Sequence, residues 1–253
     1  MLLKDKVIVV TGADSGIGRA TSRILAHVGA RLIVTGRDAP RIEQAATEIR
    51  GAGGVATALQ ADVTKEADVI AMVDRALSEH GRLDGAFNNA GVNMRNKPTA
   101  DLEAAEWDAV LDVNLKGVFL CMKYEIKAMQ TSGGGAIVNN ASNIGAVGMP
   151  FATEYAASKH GVIGATRAAS CEAAKTGVRV NAVLPGMVMT PMIDDLVKNP
   201  DFKDFYDAAL ARHSIGRFGQ PEEIGHAVKW LLSDEASFVN GAAFAVDGGY
   251  TAR

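Results

Sequence analysis

The sequence predicts an open, doubly wound α/β fold, with one parallel seven-stranded sheet covered by helices on both faces. It places that fold in a single domain over residues 1–253. Two observations carry this. Short β-branched runs alternate with longer Ala-rich or amphipathic runs from end to end. Gly is abundant at 27 residues while aromatics make up only 6%, a mix that lets helix backbones pack close against a sheet.

The elements follow in chain order. Lys6–Thr11 (KVIVVT) is nearly continuously apolar, as a parallel strand buried on both faces requires. A helix is expected over Gly16–Val28, then a strand at Arg31–Thr35. The next helix, Pro40–Arg50, has Asp38 placed as N-cap and Pro40 in its first turn. Gly51–Gly54 ends it, and Val55–Gln60 reads as the third strand. A helix over Lys65–His80 leads to a fourth strand at Leu83–Phe87, followed by helical stretches at Asp101–Leu111 and Val113–Met129. Ala136–Asn140 is the fifth strand, Glu154–Lys175 a long helix and Arg179–Leu184 the sixth strand. Residues 190–213 read as helical in pieces, Pro221–Leu232 as a helix and Ala243–Val246 as the last strand. Pro185–Arg217 interrupts the alternation and reads as an insertion on one domain.

Composition removes some partner classes. A formal net charge of −3 offers no basic field for nucleic acid or an anionic membrane surface. The amino-terminal residues lack a signal peptide's apolar core, and no apolar run is long enough to span a bilayer, so a cytoplasmic protein is expected. Cys121 and Cys171 lie in apolar, helix-like stretches without metal-ligand spacing; buried free thiols, and no metal, are expected.

Two motifs carry chemistry. Thr11-Gly12-Ala13-Asp14-Ser15-Gly16-Ile17-Gly18 joins the first strand to the first helix. Glycines there permit a tight turn and close backbone approach to a pyrophosphate, and the helix N-terminus adds partial positive charge. The spacing is G-x-x-x-G-x-G, not the usual G-x-G-x-x-G. Tyr155 and Lys159 are an i,i+4 pair at the start of the long helix, so phenol and ammonium can face one cavity. A free phenol titrates near ~10 and is a poor base at neutral pH. Lowering it by about 3 units takes about 4 kcal/mol, which a nearby ammonium and a cationic nicotinamide can supply in a partly dry site.

With these residues in view, the sequence resembles the classical short-chain dehydrogenase/reductase family over essentially its whole length. The resemblance rests on the Gly12/Gly16/Gly18 loop, on Asn88-Asn89-Ala90-Gly91, and on Asn114 in Asp-Val-Asn-Leu. It also rests on Ser142, thirteen positions before Tyr155, on Tyr155-x-x-x-Lys159, and on Pro185-Gly186 with Thr190. It implies a Rossmann-type fold and a hydride transfer between a nicotinamide and a ketone or secondary alcohol. Tyr155 would be the general acid or base, Lys159 would lower its pKa and bind the ribose, and Ser142 would hold the substrate oxygen. Asn114 would hold a water that carries the proton path onward. The implied cofactor surface is Gly12, Asp14, Ser15, Gly16, Ile17 and Gly18, with Arg37, then Asp62 and Val63. It continues through Asn89, Ala90 and Gly91 to Tyr155 and Lys159, and closes with Pro185, Gly186, Val188 and Thr190. Asp62 is the implied adenine contact and Thr190 the carboxamide contact.

Cofactor choice should be set after the second strand, where the chain reads Thr35-Gly36-Arg37-Asp38. Gly36 stands where an acid would bind the adenosine ribose of NAD, and Arg37 suits a 2′-phosphate. Asp14 and Asp38 oppose added negative charge, and Ser15 is not basic. On balance NADP(H) is favoured over NAD(H). Ala146, Val147, Met149, Phe151, Met187, Met189 and Met192 are expected to make an apolar substrate wall, with Glu154 a polar contact or a first-turn helix acid, and residues 187–213 a lid. An apolar or cyclic small-molecule ketone or alcohol is the expected substrate. A 3-oxoacyl-acyl-carrier-protein reductase ranks second, because Gln130–Gly135 lacks the basic residues that dock an acidic carrier, Lys127 being the nearest cation. A non-catalytic nucleotide sensor ranks last, because Tyr155 and Lys159 are both present. The resemblance also implies a homotetramer, with the helices at 101–129 and 154–175 forming one interface and the last strand another.

Overall fold

A computed structural model describes residues 2–191, 193 and 203–252, with the side chains of 203 and 204 left aside. Seven parallel strands form one sheet: β1 (Val7–Thr11), β2 (Arg31–Gly36), β3 (Val55–Gln60), β4 (Gly85–Asn88), β5 (Gly135–Asn140), β6 (Val178–Pro185) and β7 (Ala243–Val246). Their order is β3-β2-β1-β4-β5-β6-β7. The chain therefore runs outward from β1 in one direction and returns to β4 to build the other half. The crevice above the carboxyl ends of β1 and β4 is the switch point where such sheets bind ligands.

The strands alternate their side chains between two apolar layers, which is why they read as continuous apolar runs. Val7, Val9, Ile137 and Val180 face one layer, with Met72 and Val73 of α3 (Glu66–His80), Cys121 and Met122 of α5 (Gly117–Thr131), and Val162 of α6 (Thr153–Ala173). Ile8, Val10, Val138 and Val183 face the other, with Leu25 of α1 (Gly16–His27), Ile42 and Ile49 of α2 (Ala39–Gly51), and Val228 of α8 (Pro221–Leu232). Two further described helices are α4 (Ala104–Leu111) and α7 (Lys203–Arg212).

Local chemistry explains the boundaries. Asp38 caps α2 as expected, its carboxylate accepting the Arg41 N–H at 3.1 Å, and Pro40 lies in the first turn. Gly81, left-handed at φ +73°, closes α3. Gln220 and Glu223 form a reciprocal capping box at the start of α8. Three expectations shift. The fourth strand begins at Gly85 rather than Leu83, and the long helix stops at Ala173 before a 3₁₀ turn over Ala174–Thr176. The stretch predicted as two helices from Asp101 is interrupted by a π-turn at Asp112–Lys116, which holds Asn114. Cys121 is a buried free thiol, but Cys171 is free and exposed on the outer face of α6. Among the described residues no helix is long and apolar enough to cross a membrane, and no acid, His and Cys cluster could hold a metal.

Candidate active site

The carboxyl ends of β1 to β6 open into a cavity of about 730 Å³. Its nucleotide end is the loop after β1. Gly12 and Gly16 have φ of +60° and +49°, a region that side chains rarely adopt. Gly18 is required for another reason: a Cβ there would lie 2.1 Å from the Gly12 carbonyl oxygen. Ser15 occupies the N-cap of α1 but makes no side-chain cap bond, so the first N–H groups of this twelve-residue helix have no side-chain acceptor. A turn with no room for Cβ, ending at a helix start left uncapped by a side chain, fits the pyrophosphate of a dinucleotide.

Partly buried hydrogen bonds hold this loop to the neighbouring strand ends. Thr11 Oγ1 accepts the N–H groups of Asn89 and Ala90 at 2.9 and 3.0 Å. Asn89 Nδ2 donates to the Thr11 and Gly12 carbonyls, each at 3.0 Å. Asn89 Oδ1 accepts from Asn140 Nδ2 at 2.9 Å, and the Asn140 carbonyl accepts from Lys159 Nζ at 2.8 Å. A continuous chain of hydrogen bonds thus links the glycine loop to the ammonium of α6. Asn140, at the end of β5, is a member that sequence reasoning missed.

Tyr155 and Lys159 lie in the same cavity, with Lys159 Nζ 5.6 Å from the centroid of the phenol ring. Burial pushes Lys159 down to about 8. Burial also pushes the Tyr155 phenol above its ordinary value, with a hydrogen bond to Ser142 opposing the rise. The protein's own groups therefore do not produce the lowered phenol that Lys159 was expected to give; desolvation outweighs them. Ser142 is buried, accepts the Ile144 N–H at 3.2 Å and so also caps the short turn Asn143–Gly145.

Of the remaining predicted residues, Asp14, Ser15, Ile17, Arg37, Asp62, Val63, Ala90, Gly91, Pro185, Gly186, Val188 and Thr190 all line the cavity. Gly18 and Asn114 do not reach its surface. Asn114 is fully buried, its Oδ1 accepting the Val92 N–H at 2.8 Å and its Nδ2 donating to the Val92 carbonyl at 3.0 Å. Asp62 serves its own turn, accepting from the Thr64 N–H and hydroxyl at 3.0 and 2.8 Å, and those bonds with the Arg37 charge hold it below its usual value despite partial burial.

The substrate end departs from expectation. Met149, Phe151 and Met187 line it, whereas Ala146, Val147 and Met189 do not, and Met192 lies outside the described residues. Other walls come from Val92, Asn93, Met94 and Asn96 after β4, from Phe205, Ala209 and His213, and from Tyr250 near the C-terminus. Glu154 points away from the cavity to the Arg95 main chain. His213 receives the Met187 N–H on Nε2 at 3.1 Å and bonds the Ala209 carbonyl through Nδ1 at 2.8 Å, tying the end of α7 to the segment after β6.

A family model described as enoyl-(acyl carrier protein) reductase matches residues 12–251. The 2,5-dichloro-2,5-cyclohexadiene-1,4-diol dehydrogenase of Sphingobium indicum is 43% identical over 99% of this chain and 98% of its own. The cyclohexanol dehydrogenase of an Acinetobacter species (strain SE19) is 42% identical over 98% of this chain and 96% of its own. The crystal structure of levodione reductase superposes with a TM-score of 0.93 at 38% identity, covering 99% of each chain. The chain belongs to the classical short-chain dehydrogenase/reductase family and is a nicotinamide-dependent oxidoreductase acting on the CH–OH group of alcohols and the matching ketones.

Proposed function

We propose that the protein interconverts a cyclic, largely apolar ketone and its secondary alcohol, using NADP(H) in preference to NAD(H). One observation carries this reading: Tyr155, Lys159 and Ser142 share a single cavity with the glycine loop at one end and apolar side chains at the other. The names of two relatives, a cyclohexadienediol dehydrogenase and a cyclohexanol dehydrogenase, support the substrate class.

The bound dinucleotide supplies or accepts the hydride. In reduction Tyr155 delivers its proton to the carbonyl oxygen, and in oxidation it takes the proton back. Ser142 donates to the same oxygen and stabilises the charge that develops there. Lys159, held on the Asn140 carbonyl, places its charge beside the phenol, and with the cationic ring of an oxidised cofactor that charge would favour the phenolate. The Asn114 amide is held by the Val92 main chain and also donates to Ser158 Oγ at 3.4 Å, which would fix the turn beside Lys159 where a water would carry the proton path onward: a Cβ on Gly91 would lie 3.2 Å from Asn114 Oδ1 and 3.8 Å from Lys159 Nζ.

Sterics and charge support the cofactor preference. A Cβ at Gly36 would lie 2.8 Å from the Ile42 side chain, so no acid fits there without a shift. Arg37 is exposed at the cavity rim, and the Asp38 charge is partly met by its cap bond and by Arg41 at 3.4 Å. We place a lid at residues 187–213, described at 187–191, 193 and 203–213, on a single catalytic domain. A homotetramer is supported by apolar side chains left exposed on α5 (Phe119), before β7 (Phe238) and on β7 (Phe244), and light scattering checks it. A panel of cyclic ketones, cyclic alcohols and an acetoacetyl thioester, read at the nicotinamide absorbance with NADPH and NADH, tests the whole reading. Cyclic ketones should exceed the thioester in kcat/KM by about tenfold or more. Turnover of the thioester alone would move the protein to carrier-linked reduction, and no turnover with tight cofactor binding would make it a sensor.

A further inference from the structure

Glu154 sits one residue before Tyr155 in the first turn of α6, where an acid ordinarily faces solvent and favours the helix dipole. Here the side chain is fully buried. Its Oε1 accepts the Arg95 N–H at 2.6 Å, and its Oε2 is buried with no hydrogen-bond partner. A buried carboxylate with one oxygen left over is costly, and such groups are kept where they hold something in place. What this one holds is the loop after β4, whose Val92, Asn93, Met94 and Asn96 form a wall of the cavity.

That loop is tied at other points. Its start is fixed by the paired bonds between Asn114 and the Val92 main chain, and beyond it the hydroxyls of Thr99 and Thr153 lie 2.5 Å apart. Between these ties Asn96 turns the chain at φ +59°, a left-handed conformation that asparagine adopts more readily than most side-chain-bearing residues. Thr153, Glu154 and Tyr155 are consecutive, so one helical turn both grips the loop and presents the phenol.

We propose that Glu154 is a positioning residue, which indexes the Val92–Asn96 wall to Tyr155 and so selects substrates by size. The proposal rests on the reading that a carbonyl binds beside Tyr155. It requires an acceptor at Oε1, and a Gln retains one. Amide hydrogen exchange over residues 92–98, and steady-state kinetics with cyclohexanone and 4-tert-butylcyclohexanone, test it in the full chain.

Glu154→Ala should speed exchange at Arg95 and its neighbours by about tenfold or more. It should also raise the cyclohexanone KM about tenfold at nearly unchanged kcat, and narrow the discrimination between the two ketones. Cofactor affinity should stay at the wild-type value. Glu154→Gln should restore protection and KM. If the alanine variant fails to fold, Glu154→Asp withdraws the acceptor by one methylene without emptying the site and should give the same pattern. Wild-type protection and KM in a folded Ala or Asp variant overturn the proposal, as does a Gln variant as impaired as Ala. Should the wild type turn over neither ketone, the substrate reading falls, and the exchange data still decide the role of Glu154.

Discussion

In the nucleotide half of the cavity the walls are strand ends and a helix start, whereas the substrate half is walled mainly by loops. Thr11, Asn89 and Asn140 brace the first with partly buried hydrogen bonds between the ends of β1, β4 and β5. The second is enclosed by the loop after β4, by Met149 and Phe151 before α6, and by α7 with Tyr250. The conformational devices differ too. Left-handed positions in the first half fall on Gly12 and Gly16, while in the second they fall on Asn96 and Phe151, at φ of +59° and +63°. A dinucleotide is the same molecule for every partner that binds it, so its site can be built into the ends of regular elements. A substrate site must be free to change, and loops on a rigid scaffold provide that freedom.

The largest expected effect lies where the halves meet. Tyr155→Phe removes one oxygen and leaves Lys159, Ser142 and the glycine loop in place. Turnover of a good ketone should fall about 10³-fold, the usual worth of a positioned general acid, while NADPH affinity measured by fluorescence stays within about twofold. Comparable loss of cofactor affinity would break the comparison, because the halves would then not be separable at Tyr155.

The same contrast decides what could be read from the residues alone. Gly12, Gly16 and Gly18 are legible because their constraint is local: two left-handed positions and one close approach. Helix geometry lets Tyr155 and Lys159 face one cavity as an i,i+4 pair, and the family resemblance, not the spacing, implies their roles. Val92–Asn96 and Tyr250 meet at the cavity only through tertiary structure, so no local pattern announces them, whereas Phe205 and His213 fall in the 187–213 segment expected to lie over it. Ala146, Val147 and Met189 have the right chemistry for a substrate wall and do not line the cavity, because apolar composition in a loop does not encode which residues reach it. The π-turn around Asn114 has no periodic signature, since it is one extra residue within an otherwise helical run. Cys171 misled because an Ala-rich helix looks apolar on every side while only one side meets the sheet. Asp62 and Ser142 each accept hydrogen bonds within their own turn and also line the cavity.

A second prediction concerns the layer beneath the nucleotide half. Glu125 of α5 is fully buried, and Asn88 Nδ2 donates to its Oε2 at 2.9 Å. Glu125 Oε1 and Asn88 Oδ1 are both left without a partner, and a single proton on the carboxyl can serve the two. Burial pushes Glu125 up to about 8, the Asn88 bond opposing, from an ordinary value of 4.5. The fold therefore favours the protonated acid. The contribution of Glu125 to stability is greatest below about pH 4.5, falls as pH rises through the window between the two values, and levels off above about 8. Glu125→Gln presents an N–H to Asn88 at every pH. It should stabilise the protein by about 2–3 kcal/mol at pH 7 and hardly at all at pH 5, as urea denaturation at the two values will read. Kinetic constants in both halves should be unchanged. An equal gain at both pH values would mean that Glu125 does not take up its proton on folding.

The smallest expected effect is at the rim of the nucleotide half. Arg37 follows β2, is exposed, and lines the cavity beside Asp62, whose carboxyl it helps to keep ionised. An exposed guanidinium acts through water and salt, so its pull on a 2′-phosphate is modest compared with that of a buried pair. Arg37→Asp also places a third acid beside Asp14 and Asp38 and reverses the sign of the local field. The ratio of kcat/KM for NADPH over NADH should fall by about tenfold at low ionic strength and by less at 0.5 M salt. The KM of the ketone should not move, because the residue belongs wholly to one half. An unchanged NADPH/NADH ratio would remove Arg37 from cofactor choice and leave the sterically closed position at Gly36 as the remaining determinant at the end of β2. A shifted ketone KM with an unshifted ratio would mean instead that the two halves communicate through the rim, which neither the strand-end braces nor the loop ties provide for.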